Sequence, residues 1–536
     1  MALHSLRLTT LVGLSLVLTA APGLAAAAQP PSPPGGIARG SAALTSAIVR
    51  GGPGSEAALR AAVTAAGGSV TRPLGLVDGV AAVVPSSALA RLAAAPGVLE
   101  VTPDARLALS GTDEVAEDRT APLADLAAAV RARQARAAGF SGLGVDVAVL
   151  DSGVVPVDGL RAPGKVVHGP DLSYDGGSPE LRHLDGYGHG THMAGIVAGR
   201  DDALASPVRG DDEEGFTGIA PDARIVSVKV ADARGATDVS QVIAGLDWLV
   251  QHGDDGDLDV RVVNLSFGTD GVQDYQLDPL AYAVERVWRA GIVVVVAGGN
   301  DGYGSAKLNN PAYDPYVLAV GGSDSRGTVA ADDDVVAAWS SRGDVDRHPD
   351  LVAPGQSVVS LRSPGSSLDL EHPAARIGGR FFRGSGTSQA TAVVSGAAAV
   401  LLQQRPDLSP DQVKALLRES ARPLPLADEL GQGAGLLDVR AALSTPTPAD
   451  AEQDWPRAYG TGSLDLARGS ARVALDGVPL VGERSVFYTA WGLPGALAAV
   501  LGGRPWSGGG WTGGTWTGNT WTGNTWTGNT WTSAEW

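Results

Sequence analysis

The sequence predicts a two-part protein: an α/β body built on a doubly wound, mostly parallel sheet flanked by helices, preceded by a small α+β unit of ferredoxin-like order. Three observations carry this. From about residue 122 to 443, nearly continuous β-branched runs ("VDVAVLD", "RIVSVKV", "VRVVNLSF", "GIVVVVAGG", "YVLAVGG") alternate with helical stretches. Strands apolar on both sides belong to a parallel sheet covered on both faces, and the alternation is that of an α/β domain. Between residues 44 and 109, shorter segments follow the order β-α-β-β-α-β, the split arrangement of ferredoxin-like units. Charged residues make up only 18% while Gly, Ala and Val are abundant, which suits a packed body and not a disordered chain.

The elements follow in order. Arg7 precedes an apolar run from Leu8 to Leu18 and small residues through Ala28, so residues 1–28 read as a secretory signal, too short to span a membrane. A Pro-rich spacer covers Gln29 to Gly36, and the small unit is placed at 37–110. In it "LTSAIVR" is a strand. "SEAALRAAVTAAGG" is a helix with Ser55 as N-cap and a Gly pair at its end. "VTRPLGLVDGVAAVV" holds two strands, "SSALARLAAAPGV" a second capped helix, and "VLEVTPD" the closing strand. Residues 110–121 are polar and aperiodic, an exposed linker of the kind proteases nick. The α/β body spans 122–443, with helices expected near 190–199, 239–252, 277–290, 388–404 and 410–420. Residues 444–505 open on a linker and show no assignable fold. From 506 to 536 Trp returns every five residues with the repeat WTGNT. That period matches neither a helix face nor a strand face, so the tract is either a flexible tail or a ladder of Trp faces for cell wall, glycan or a partner.

Charge and composition exclude several classes. The formal net charge is −18, which argues against nucleic acid. There is no cysteine, hence no disulfide, thiol nucleophile or Cys-based zinc site. The acidic runs Asp211–Glu214 and Asp332–Asp334 read as solvated loops or as oxygen ligands for structural calcium.

Three side chains stand out. Asp151 ends the run "VDVAVLD", His189 sits where a Gly-rich loop becomes a helix, and Ser388 opens a long apolar helix. Singly, each is an ordinary turn or cap residue. His189 and His192 share a helix face, but Gly190 stands where a zinc peptidase helix needs Glu. Together they supply the acid, base and hydroxyl that nucleophilic attack on an amide requires, each beside glycines at a strand or loop junction with a helix.

"VAVLDSGV", "GHGTHMAGIVAG" and "GTSQATAVVSGAAAVLL" resemble the Asp, His and Ser motifs of the subtilisin-like serine proteases, in that family's chain order. "GIAPDARIVSVKV", "RVVNLSFG", "GIVVVVAGGNDG", "PYVLAVGG", "WSSRGD", "DLVAPG" and "GQGAGLLDV" are similar to further family segments in the same succession, across about 122–443. The small unit resembles the family's propeptide, a folding aid and inhibitor. The resemblance implies a secreted endopeptidase made as a zymogen and active on protein or peptide substrates. It implies Ser388 as nucleophile, His189 as acid and base, Asp151 as the group that orients and stabilises it, and Asn300 as oxyanion donor. It implies that Ser266, Phe267 and Gly268 form a strand pairing with substrate backbone, and that with Ala297, Gly298, Gly299 and Asn309 they line the pocket for the residue before the scissile bond. No cofactor is expected for the chemistry, and a monomer is expected, released or held at the cell surface.

The sequence departs from the family pattern at Gln389, where Met is usual, at Ala392, where Pro is usual, and at Gly299, where Ala is commoner. Stretches near 200–216 and 360–383 exceed the family minimum and are read as modifying substrate access or binding ions. Two other readings share the residues: a surface- or glycan-binding protein with a vestigial protease domain, and an esterase or acyl transferase using the same triad.

Overall fold

The structure, a computed structural model, describes residues 44–52, 54–74, 79–103, 121–208, 215–271, 273–304, 307–469, 474–475 and 478–485. The chain divides into Met1–Ala42 and Ala43–Trp536, and every described residue belongs to the second unit. The expected signal segment, the Pro-rich spacer, most of the nicking linker, the acidic run Asp211–Glu214 and the Trp repeats lie outside the described residues.

The small N-terminal region runs β1 (Leu44–Arg50), α1 (Glu56–Ala65), β2 (Ser69–Leu74), β3 (Gly79–Pro85), α2 (Leu89–Ala93), β4 (Glu100–Pro103). Its sheet has the order β2-β3-β1-β4 with antiparallel neighbours, which is the ferredoxin-like arrangement. Period-two alternation puts Ala47, Val49, Val80, Ala82 and Val84 on one face, where Leu59 and Val63 of α1 and Leu92 of α2 close the core. Two details differ from expectation. Ser55 holds the N-cap position but makes no capping bond, because its own backbone is helical (φ −80°, ψ 0°) rather than extended. The second helix opens as a 3₁₀ turn at Ser86–Ala88 without a side-chain cap.

The body begins with β5 (Ala121–Pro122), α3 (Leu123–Ala129) and α4 (Ala132–Ala137). Ala121, expected in the linker, instead pairs in parallel with β14 (Val358–Leu361). The central strands are β6 (Asp146–Asp151), β7 (Val166–Asp171), β8 (Arg224–Lys229), β9 (Val260–Leu265), β10 (Val293–Ala297), β11 (Leu318–Asp324) and β13 (Leu351–Pro354). They form one parallel sheet in the order β7-β8-β6-β9-β10-β11-β13, with β12 (Val335–Val336) antiparallel on β11. The crossovers are α5 (His189–Ala198), α6 (Val239–His252) and α7 (Pro279–Arg289). Asp238 and Asp278 cap α6 and α7, and Pro279 opens α7, the position where its missing N–H costs nothing. A second small sheet, β15 (Arg376–Ile377), β16 (Phe381–Gly384), β14 and β5, carries α8 (Ser367–Glu371).

The long helix α9 (Thr387–Gln404) is buried from Thr387 through Leu402 and packs on β9, β10, β11, β13 and α5. A helix apolar on every side fits such a site, within the core and not at its rim. Next come α10 (Pro410–Glu419), α11 (Glu429–Gln432) and α12 (Val439–Ser444). The chain beyond, where the sequence shows no fold, lies along the body. Tyr275 and Tyr316 donate hydroxyls to the carbonyls of Pro456 (2.7 Å) and Trp455 (2.6 Å), and Ala458 N–H donates to Glu285 (2.7 Å). Helix α13 (Leu464–Ala467) inserts Leu464 and Ala467 into the main core. The hairpin β17 (Ala474–Leu475) and β18 (Val478–Pro479) follows, and β18 packs against β1. Among the described residues no helix is long and apolar enough to cross a membrane.

Candidate active site

β6 sits inside the sheet between β8 and β9. Ligands of doubly wound sheets gather at the carboxyl ends of the strands, and β6 ends on Asp151. Both carboxylate oxygens of Asp151 lie 2.9 Å from Nδ1 of His189, the first residue of α5. Asp151 is 1% and His189 4% exposed. A carboxylate facing Nδ1 assigns the proton to that nitrogen, which leaves Nε2 as the ring's acceptor. Nε2 is buried and has no hydrogen-bond partner among the described residues. Burial pushes the imidazole pKa down, but the charge and hydrogen bond of Asp151, with the charge of Asp185, outweigh it and raise it above the usual 6.5.

Sequence reasoning missed Asp185. Its Oδ1 accepts from the Ser152 hydroxyl (2.7 Å) and Gly188 N–H (2.6 Å), and its Oδ2 from Thr191 N–H (2.7 Å). Ser152 Oγ in turn accepts from Gly190 N–H (3.0 Å) and lies 3.2 Å from Asp151 Oδ1. One buried carboxylate thus holds the amides around the first turn of the His189 helix and the residue after Asp151. The signal was present: an acid four residues before His189, in a Gly-rich run entering a helix, has the makings of an N-terminal anchor. The stretch 360–383 supports the same loop. Ser363 donates to Asp185 O (2.8 Å), Ser367 N–H to Gly186 O (2.9 Å) and Leu368 N–H to Tyr187 O (3.0 Å).

Ser388 is the second residue of α9 and is fully buried. Helices α5 and α9 pack side by side. Their first turns meet at Gly384, where a Cβ would lie 2.7 Å from Gln389 Nε2 and 3.6 Å from His192 Cε1. Asn300, just past β10, points its amide oxygen back at this helix start: Oδ1 accepts from Thr387 N–H (2.9 Å) and the Thr387 hydroxyl (3.0 Å). The Ser388 carbonyl faces the Ser266 hydroxyl at 3.4 Å. The positive end of α9 is at this same point.

Of the residues expected to line a pocket, Gly268, Gly298, Gly299 and Asn309 come together. Asn309 N–H donates to Gly298 O (3.1 Å), and its side chain fills the room beside both Gly268 and Gly299. Ser266 and Ala297 are buried next to them, whereas the Phe267 ring joins the hydrophobic core, so only its backbone faces that way.

His192 is tied to the carbonyl of Phe382 through Nε2 (3.1 Å), and burial, with the nearby His189, pushes its pKa down to about 4. Among the described residues no group of three or more His, Cys, Asp or Glu is placed to hold a metal ion. In the acidic run Asp332–Asp334, Asp334 turns inward, and burial with the charge of Asp333 pushes its carboxyl up to about 7.

The model of the subtilase family matches residues 142–462. The chain belongs to the subtilase family. A model of peptidase-inhibitor domains matches residues 40–104 of this subtilase. The subtilase is 38% identical over 310 residues to the serine protease AprX of Bacillus subtilis, covering 57% of this chain and 67% of that protein. It is 31% identical over 315 residues to subtilisin DY of Bacillus licheniformis, covering 58% and 96%, and 32% identical over 313 residues to subtilisin Savinase of Lederbergia lenta, with the same two coverages. The subtilase is a serine protease with an inhibitor-like domain at its N-terminal side, on the α/β fold expected from the sequence.

Proposed function

We propose that this subtilase is a secreted serine endopeptidase made as a zymogen, with Asp151, His189 and Ser388 as its triad. The observation that carries the reading is the Asp151–His189 pair, which leaves Nε2 as the ring's acceptor on a helix that packs against α9. In the forward step the Ser388 hydroxyl proton passes to Nε2 while Oγ bonds to the scissile carbonyl carbon. Negative charge gathers on the carbonyl oxygen, and the Asn300 amide nitrogen with the Ser388 N–H receives it. His189 then gives its proton to the departing amine as the C–N bond breaks. Water, deprotonated by the same nitrogen, releases the acyl group. Asp151 holds the imidazole and stabilises its charged form. Ser266 to Gly268, Ala297 to Gly299 and Asn309 form the pocket for the residue before the cleaved bond. The inhibitor-like domain covers the site until the linker before residue 121 is cut, and the Trp repeats of 506–536 give contact with wall glycan.

The test is labelling by a fluorophosphonate probe together with peptide hydrolysis. The wild-type chain labels and cleaves, and Ser388→Ala does neither and stays uncut at the linker. Equal labelling of both chains would end the assignment of Ser388. Normal maturation of Ser388→Ala would end self-processing alone.

A further inference from the structure

The stretch matching the family ends at residue 462, and α13 begins two residues later. Yet α13 is joined to the residues that directly follow the proposed pocket. Thr269 comes after Gly268 and Asn310 after Asn309. The two form an antiparallel bridge, Thr269 N–H to Asn310 O (3.0 Å) and Asn310 N–H to Thr269 O (2.8 Å). Both side chains then converge on one acceptor, the main-chain carbonyl of Ala467. The Thr269 hydroxyl donates to it at 2.5 Å and the Asn310 amide at 3.2 Å. Thr269 and Asn310 are buried, so neither donor has water as an alternative.

Helix α13 is fixed in turn. Arg468, with no exposed surface, donates from Nε to Asp238 Oδ1 at 2.6 Å, and Asp238 is equally buried and caps α6. The Gln273 amide pairs with the Ser463 backbone in both directions (2.7 and 3.0 Å) and reaches Asp278, the cap of α7 and the other partner of Asn310. A side chain at Gly469 or Gly271 would strike Asp270 or the Ala467 carbonyl. The approach is close and built from several sides.

We propose that the C-terminal extension is part of the substrate-binding machinery of this subtilase: α13 braces the pocket, and the Ala467 carbonyl sets the spacing between the 266–269 and 309–310 segments through Thr269 and Asn310. Thr269 is a positioning residue, acting through Gly268 and Asn309. The inference rests on the reading of those segments as the pocket for the residue before the scissile bond. A pocket whose two walls share one acceptor keeps its width, and loss of that acceptor bond loosens the walls without touching the triad.

The experiment measures kcat and KM of the full chain on peptides differing only at the residue before the cleaved bond, with sites counted by fluorophosphonate titration so that misfolded material drops out. Thr269→Val and Thr269→Ala raise KM about fivefold, the scale of one hydrogen bond, and broaden the preference among the peptides, with kcat per titrated site within about twofold. Thr269→Ser restores both. If one of the two variants yields no titratable sites, the other decides. KM and preference equal to wild type, or a rise that Thr269→Ser shares, overturns the brace. A wild-type chain that neither labels nor cleaves overturns the pocket reading itself and is told apart from those results.

Discussion

Asn300 and Thr387 are joined twice: one amide oxygen accepts both the backbone N–H and the hydroxyl of Thr387, at 2.9 and 3.0 Å. This fixes which end of the amide is oxygen and commits it to the helix start, so the nitrogen is the end presented as donor. A donor held in advance costs no reorganisation when charge develops. Asn300→Ala is expected to lower kcat about 10²–10³-fold with little change in KM, a range established by the loss of such a donor in subtilisin, a member of the same family. Thr387→Val keeps the amide but loses one of its two anchors, and the expected loss is smaller, about tenfold. Steady-state peptide hydrolysis checks both, and an Asn300→Ala chain with wild-type kcat removes Asn300 from the chemistry.

In the proposed reaction the Asp151–His189 pair sets the pH dependence. His189 must be neutral to take a proton, and its pKa lies above 6.5. Activity is therefore low at acid pH and rises as pH climbs through that raised value. Asp151→Asn removes the charge that holds the pKa up and the acceptor that holds the tautomer. The acid limb should move to lower pH while kcat drops about 10⁴-fold. The raised pKa also has a stability sign. The charged ring favours the fold, so this contribution is fully present below 6.5 and is lost as pH rises through the folded-state value. A pH–rate profile of kcat/KM tests the kinetic part; an acid limb left unmoved in Asp151→Asn contradicts it.

The sheet and its helices were legible because they rest on periodicity. The helices expected at 239–252 and 388–404 lie at Val239–His252 and Thr387–Gln404, where apolar runs leave little choice of state. The Asp151–His189 pairing was legible because it sits on motifs whose glycines let the chain turn. What escaped was carried by groups without a pattern. Asp185 works through three donors scattered over Ser152, Gly188 and Thr191. The strap from 445 to 469 is held in part by its own carbonyls, which no residue letter reveals. Ser55 shows the converse: a residue suited to capping does not cap when its own backbone angles turn the hydroxyl elsewhere.

Asp185 should matter to both stability and rate. Its removal strands the Gly188 and Thr191 N–H groups, both buried, and leaves the Ser152 hydroxyl only its longer 3.2 Å contact with Asp151. Each such loss costs about 1–3 kcal/mol, less whatever water regains. Asp185→Ala is expected to lower stability by about 3 kcal/mol and to reduce kcat through misplacement of His189. Asp185→Asn, which keeps the shape and one acceptor, should lose less stability. It removes a charge that helps to raise the His189 pKa, so its acid limb moves to lower pH. Urea unfolding and a pH–rate profile separate the two effects, and an Asp185→Ala chain as stable as wild type rules out the anchoring role.

The structure gives the reason position 299 is a glycine. Its φ is +113°, a left-handed conformation that strains any residue with a Cβ. A Cβ there would also lie 2.7 Å from Asn309 Cγ and 2.8 Å from Ser341 Oγ. Asn309 already occupies the volume an alanine methyl would take, packed as it is against Gly268 on its other side. Strain and overpacking add, each about 1–2 kcal/mol, so Gly299→Ala should destabilise the fold by about 2–4 kcal/mol. Because Asn309 has to move, KM for peptides should rise as well. Gly379→Ala, with no atom within 4 Å of the added methyl and an ordinary φ, is the matched control and should leave stability within about 0.5 kcal/mol. Replacing Asn309 by Ala together with Gly299→Ala opens the space again and should recover part of the loss in KM. If the double variant binds no better than Gly299→Ala alone, the shared volume is not what keeps position 299 a glycine.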